Sequence, residues 1–533
     1  MQKKIIVHFL LTLLSLANLC HCLPLSTKSR WIIDEANGNR VKLVCANWAA
    51  HLDAMVAEGL NRRPVGEIAK DVKRMGFNCV RFTWATYMFT RFSNVTVSES
   101  LGKLGLHDAI EGIKKQNPNF LKLKLIDAHR RVVDALAENG VMAVLDNQVS
   151  KPSWCCSNDD DNGFFGDKYF DTIEWLRGLS MAAKHYNNTP TLVAMSLRNE
   201  LRGPRQNPKD WYKYVKKGTN AIHKYNPNLL VLVSGLDFDL SFSFLKKTPL
   251  KLSLRNKLVY EFHRYAFSAG QKGMWLKKRF TKACEGLNDE IERLVGFLGE
   301  GQNAAPLFVT EFGADLEDLG TAESLFLDCF MGYLAEHDLD WGIWALQGGY
   351  YFKKGIRNPN ETFGLLNNDW SAIRNPSFSQ KLEFIQQQLR DPKSKGRPYR
   401  ILHHPSSGQC VQVGDKQVYV GDCRSFSRWD FRGNGNPIKL VGTGKCLSAG
   451  GDGVAVTVSD DCSSKWEWMP GTNYQLTTKD SNGKYLCLEW NLEYETTVFT
   501  NECKCFAGDD DYAMDCRETP LTQWFKFIPA NVY

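Results

Sequence analysis

Two carboxylates stand out by position. Glu200 closes the run Ser196-Leu197-Arg198-Asn199-Glu200, and Glu311 closes Phe308-Val309-Thr310-Glu311. Each ends a short apolar run of strand character, a place not chosen for packing, because burying an unpaired charge is costly. Singly, either would pass for a surface or capping group. Together, one as acid/base and the other as nucleophile, they are the minimum equipment for opening a glycosidic bond. Other chemistry-bearing side chains fall at similar run ends: Trp48 after Asn47, Arg81, Gln148, Asn199, His263 with Tyr265, and Trp344. Arg and Tyr hold a nucleophilic carboxylate ionised by charge and hydrogen bonding. Asn and Gln bond sugar hydroxyls, and Trp offers its ring to the C–H face of a sugar.

The elements that must position these residues repeat along the chain. Runs at Val41–Trp48, Cys79–Ala85, Val141–Gln148, Leu192–Glu200, Leu229–Gly235, Leu258–Tyr265, Pro306–Gly313 and Asp340–Gly348 are apolar without alternation, as strands buried on both faces are. Amphipathic stretches such as Pro64–Met75, Leu121–Asn139, Trp175–Tyr186 and Trp211–Tyr225 lie between them. Eight such strands predict an α/β domain, a (β/α)8 barrel over residues 23–390, with a doubly wound open sheet as the rival. In a barrel the strand ends fall on the face where active sites are built.

Composition narrows the class. Of 533 residues, 43% are hydrophobic and 23% charged, enough to bury a core and to exclude disorder. A net charge of +7 from 66 basic and 59 acidic residues is too mild for a nucleic-acid partner. The balance is uneven: residues 401–533 hold 12 Lys+Arg against 17 Asp+Glu, or −5, which leaves +12 for the first 400. Lys3 and Lys4 precede an apolar run from Ile5 to about Leu16, then small and polar residues to Cys22. This predicts a signal peptide over residues 1–22, too short to span a membrane, and hence a secreted protein, extracellular or in the cell wall, with the vacuole as the other destination. No membrane association is expected after its removal. Sequons at Asn94, Asn187 and Asn360 accord with that route. Removing Cys20 and Cys22 leaves 14 of 16 cysteines, an even number suited to an oxidising compartment. Adjacent Cys155 and Cys156 are expected to find partners among Cys45, Cys79, Cys284 and Cys329 rather than each other. No zinc-type Cys/His spacing accompanies them, and no metal or organic cofactor is expected.

Residues 391–397 read as a polar linker, and the texture beyond changes to short β runs and turns. Three units of roughly 40 residues repeat there. Each begins with a Cys on a strand (Cys410, Cys446, Cys487), continues to a second Cys (Cys423, Cys462, and Cys503 or Cys505), and closes on Trp429, Trp466 or Trp524. Each unit is expected to close its own loop, Cys410–Cys423 and Cys446–Cys462 being the clearest pairs. One further bridge is expected in the third, which also holds Cys505 and Cys516. One such unit cannot bury its apolar face alone, so a radially repeated all-β domain over 398–533 is predicted. This region resembles the ricin B-type lectins, β-trefoils whose repeats end in Gln-x-Trp, although the Gln positions are Ser427, Ser464 and Thr522. Sugar-binding repeats of that family carry Asp two residues after the first Cys; the matching residues are Gln412, Ser448 and Glu489. The resemblance therefore implies at most one glycan site, at Glu489 beside Trp490. The alternative is a spacer domain with all three repeat tryptophans in its core.

Over about residues 30–390 the chain resembles glycoside hydrolase family 5, the cellulase-like retaining enzymes. The resemblance rests on Asn199-Glu200, on Glu311 within Thr-Glu-Phe-Gly, and on Arg81, His263-x-Tyr265, Trp344 and Asn47-Trp48 in order. It implies Glu200 as acid/base, Glu311 as nucleophile, and the others as substrate-binding residues. The added C-terminal domain makes it look like a plant branch of the family. Gln148 departs from the pattern, standing where many members have His after the third-strand Asp. The expectation is a secreted, monomeric β-glycosidase acting on a carbohydrate without a cofactor. Its rivals are a binding protein that has lost turnover and a transglycosylase using the same residues.

Overall fold

The computed structural model describes residues 24–415, 417–469, 474–504 and 519–532. The expected signal peptide and Cys505 and Cys516 lie outside the described residues. Eight parallel strands close into a barrel: β1 (Val44–Trp48), β2 (Cys79–Ala85), β3 (Met142–Val149), β4 (Leu192–Ser196), β5 (Leu230–Ser234), β6 (Leu258–His263), β7 (Leu307–Phe312) and β8 (Asp340–Ile343), with β8 pairing to β1. Each coincides with a predicted run, β3 alone passing its run's end, by Val149. Their residues are buried on both faces almost without exception, which is why the runs lack alternation. The open sheet is excluded by the closing β8–β1 pair.

Helices α1 (Val65–Arg74), α2 (Leu125–Glu138), α3 (Thr172–His185), α4 (Pro208–His223), α5 (Phe280–Leu294) and α6 (Thr321–His337) lie between successive strands, and α7 (Pro376–Gln386) follows the last. The β5–β6 connection departs from the repeat, carrying only a 3-10 turn at Ser243–Lys246. Among the described residues no helix is long and apolar enough to cross a membrane.

The C-terminal region is all-β and antiparallel. Its first strand, β9 (Tyr399–His404), pairs with its last, β10 (Lys526–Ala530), from Tyr399↔Ala530 to His403↔Lys526. Cys410–Cys423, Cys446–Cys462 and Cys487–Cys503 are bonded, one bridge per repeat. Trp429, Trp466 and Trp524 are wholly buried, as core residues. In place of the lectin Gln, the hydroxyls of Ser427 and Ser464 accept from the backbone N–H of Val413 (2.9 Å) and Ala449 (3.1 Å).

The β region has its own apolar core around Trp429, Trp466 and Phe525, and a second set of its apolar residues joins the core of the barrel. Trp524 packs its ring on Phe280 of α5, with centroids 4.5 Å apart. Tyr399, Ile401 and Ile528 join the same cluster as the barrel helices. Asn288 donates to the Tyr474 hydroxyl at 3.1 Å, and Lys526 pairs with Glu336. The polar linker is held too, Asp391 N–H donating to Asn531 at 2.8 Å.

Candidate active site

Alternation along the strands sorts the site residues. On β1, Asn47 turns inward and Trp48 outward. Asn47 Nδ2 donates to the carbonyls of Thr310 (2.9 Å) and Ile343 (3.0 Å), while its Oδ1 accepts from Arg81 at 2.9 Å. Trp48 packs instead against Phe82 and Trp370, its indole N–H donating to the Glu58 carbonyl at 2.9 Å. The expectation that Trp48 binds substrate is therefore corrected: its ring sits behind the barrel wall.

Arg81 is completely buried on β2 and gathers the site. It donates to Glu311 at 2.6 Å and to Asn199 Oδ1 at 2.8 Å, and lies 2.9 Å from Asp146. The Tyr265 hydroxyl donates to the other Glu311 oxygen at 3.0 Å. Burial alone would raise the Glu311 pKa, but His263, Arg81 and the Tyr265 hydrogen bond together hold it below the ordinary carboxylate value. Glu311 is thus kept as an anion with both oxygens aimed.

Glu200 lies past the end of β4 rather than on it, in left-handed backbone at φ +43°. A non-glycine residue there is strained and persists only when its surroundings hold it. Asp239 does the holding, since its carboxylate accepts the Glu200 backbone N–H at 3.1 Å. Asp239 itself ends a left-handed succession, Asp237, Phe238 and Asp239 at φ +62°, +58° and +60°. From the other side, His263 meets Glu200 Oε1 at 2.8 Å through Nδ1.

The protons in this chain can be counted. The Thr310 hydroxyl donates to Glu261 at 3.0 Å, so its oxygen is free to accept from His263 Nε2, also at 3.0 Å. A proton on Nδ1 as well makes His263 an imidazolium that donates to Glu200. Burial opposes that charge, but Glu311, Glu200 and Asp239 outweigh it and raise the His263 pKa to about 9. Oxygens of Glu200 and Glu311 and a nitrogen of His263 lie within 4.8 Å of one another. This cluster also has the ligand types for a cation, which would have to displace the proton on His263 Nδ1.

The carboxylates open into a cavity of about 640 Å³, also lined by Gln148, Tyr265 and Trp344. Gln148 Oε1 and His51 Nε2 are buried in its wall without a protein hydrogen-bond partner. Arg81 and Asn199 do not reach the cavity. Their expected role as substrate contacts is corrected to one of holding Glu311, because both side chains are entirely covered. Asn199 Nδ2 is capped by the sulfurs of Cys155 (3.6 Å) and Cys156 (3.5 Å).

Those two cysteines are bonded to each other, which overturns the expected pairing. Cys45 and Cys79 sit opposite in the β1–β2 register and bond there; Cys284 on α5 bonds Cys329 on α6. None of the four is left over.

The expected glycan site in the C-terminal region is also corrected. Glu489 is fully buried, accepting from Lys504 (2.6 Å), Gln523 (2.9 Å), Asn501 (3.0 Å) and Thr522 (3.0 Å). Trp490 is buried beside it, its N–H donating to the Glu495 carbonyl at 3.0 Å. Neither presents a free face to a sugar.

Sequence reasoning missed His51, Asp239 and the Cys155–Cys156 wall. Of these, only the adjacent cysteines carried a signal, and it was misread. The Asn360 sequon, noted for modification, proves to lie on the cavity rim.

Residues 35–349 match the family model described as cellulase, glycosyl hydrolase family 5. The chain is 42% identical to a "Glycosyl hydrolase 5 family protein" of Chamaecyparis obtusa, over 98% of this chain and 96% of that one. It is 24% identical to an endoglucanase of Paenibacillus polymyxa, covering 66% of this chain and 84% of the relative. Among solved structures, the catalytic domain of the major endoglucanase from Xanthomonas campestris pv. campestris superposes with a TM-score of 0.56 at 20% identity. That alignment covers 68% of this chain and 99% of the other, and it shows the shared barrel fold.

Proposed function

The chain belongs to glycosyl hydrolase family 5 and is a glycoside hydrolase, and on that footing we propose that it is a secreted, monomeric β-glycosidase that retains anomeric configuration. Its substrate is a β-glucan, a β-linked oligosaccharide or a β-glycoside, in keeping with the endoglucanases among its relatives. Glu311 attacks the anomeric carbon while Glu200 protonates the leaving oxygen, and a covalent glycosyl-enzyme forms. Glu200 then takes a proton from water, which attacks the same carbon and frees Glu311. His263 keeps Glu200 aimed through both steps, and Arg81 with Tyr265 keeps Glu311 ionised.

The observation that carries this reading is the closeness of the pair: the nearest oxygens of Glu200 and Glu311 are within 4.8 Å, and His263 Nδ1 lies 2.8 Å from one and 3.8 Å from the other. Retaining enzymes hold their carboxyl groups ~5–5.5 Å apart, whereas inverting ones leave ~6.5–9.5 Å for a water. The C-terminal region we read as a β-trefoil of ricin B-type lectin ancestry, a domain over 398–533 separate in origin from the barrel. The repeated cysteine pairs and closing tryptophans support that ancestry. With Glu489 enclosed, it acts as a docked structural partner of the barrel.

Following hydrolysis by proton NMR tests the mechanism: the β-anomer of the released sugar should appear first. An activated 2-fluoro-glycoside should leave one covalent adduct, on Glu311. First appearance of the α-anomer, or an adduct on another carboxylate, would sink the assignment.

A further inference from the structure

A proton donor stands beside the oxygen it protonates, so whatever flanks Glu200 flanks the leaving group. Sulfurs of Cys155 and Cys156 lie within 4.8 Å of a Glu200 oxygen, and both residues line the cavity. A disulfide donates no hydrogen bond and accepts only weakly, so it is an apolar surface to a sugar hydroxyl. It also seals off Asn199 Nδ2. Phe238 and Leu240 flank Asp239, the residue bonded to the Glu200 backbone; both line the cavity half-exposed. Phe238 is anchored there by its N–H, which donates to the Leu201 carbonyl at 3.1 Å. Trp154 continues the wall next to Cys155. Lys353, which also lines the cavity, is 3.5 Å above the Trp154 ring and pairs with Glu361 at 3.2 Å.

We propose that the leaving-group side of this cavity is built for an apolar aglycone, an aryl, alkyl or terpenoid group, and that the Cys155–Cys156 disulfide with Phe238 and Leu240 selects it. A second sugar would find no partners for the hydroxyls it presses on the disulfide, Phe238 and Leu240, a penalty an apolar group escapes. The substrate class is then a β-glycoside of a hydrophobic alcohol or phenol. This rests on the reading of Glu200 as the proton donor.

Alkyl 1-thio-β-D-glucosides from methyl to hexyl test it, because they bind without being cleaved. Calorimetric titration of the full chain should show Kd tightening roughly two- to fourfold per added methylene. The paired substitution Cys155→Ser with Cys156→Ser should flatten that series, and Phe238→Asn, which keeps the disulfide, should flatten it independently. A series flat in the native protein would overturn the proposal, as would a slope that neither variant changes. Hydrolysis of β-glycosides alongside a flat series refutes the aglycone site alone. A steep series in a protein that hydrolyses none of them refutes the glycosidase reading alone.

Discussion

Two buried carboxylates, Glu311 in the barrel and Glu489 in the C-terminal region, are each held below the ordinary pKa by a cation and hydrogen-bond donors. They differ in what remains. Glu489 spends both oxygens on four protein donors and is sealed. Glu311 receives Arg81 and Tyr265 and is still 6% exposed, toward the cavity that Glu200 shares. An acidic residue beside an aromatic one looks the same in both sequences. What separates a site from a staple is whether the supporting donors leave one direction open. A barrel strand end leaves that direction, and the centre of a β repeat does not.

The largest effect should come from closing that difference at Glu311. Glu311→Ala should lower kcat/KM on the order of 10⁴-fold or more while the melting temperature moves little, because the residue serves chemistry rather than packing. A variant retaining a tenth of native activity would place the nucleophile elsewhere.

Next comes Asp239→Ala, which removes the acceptor holding the strained Glu200 backbone. As a positioning residue, Asp239 should cost about 10- to 100-fold, in kcat more than in KM, because a 1 Å displacement of the proton donor suffices. Substrates with good leaving groups, which need little protonation, should be much less affected. An equal loss across all leaving groups would make its role purely structural.

The smallest catalytic effect belongs to Glu489→Ala, which should leave turnover intact. Its cost is stability, about 1–3 kcal/mol for the donors left unsatisfied, read from chemical denaturation. The native pKa of Glu489 lies below its ordinary 4.5, so the wild-type contribution is fully present above that value. It is lost as pH falls through the lower folded value, and wild type and variant should converge in acid. Divergence that persists in strong acid would contradict an ionised Glu489.

The barrel was legible because strands buried on both faces write uninterrupted apolar runs, and the carboxylates were legible because they break those runs at one end. Trp48 was misassigned because neighbours on a strand face opposite ways: Asn47, not Trp48, looks into the barrel. Asp239 left no trace, since it acts from a turn whose left-handed backbone has no strong residue signature in Asp237-Phe238-Asp239. The cysteine pairing was misread because distance in sequence says nothing of which strands lie side by side. The β1–β2 register brings Cys45 against Cys79, and Cys155 and Cys156 are left to each other. The enclosure of Glu489 depends on donors from two distant segments, 501–504 and 522–523, which no local pattern announces.

Each half of the molecule is shut by its final strand, β8 onto β1 and β10 onto β9. During synthesis the barrel therefore stays an open ribbon until residue 343 has left the ribosome, with the Arg81 cluster unmade and the catalytic carboxylates still apart. The second half then waits in turn for residue 530, and β9, paired earlier on one side with residues 409–410 and 428–429, keeps its other edge open beside a barrel already able to close. The order of emergence thus lets the catalytic half form first and offers it as the surface on which the β half assembles, Trp524 arriving late against Phe280.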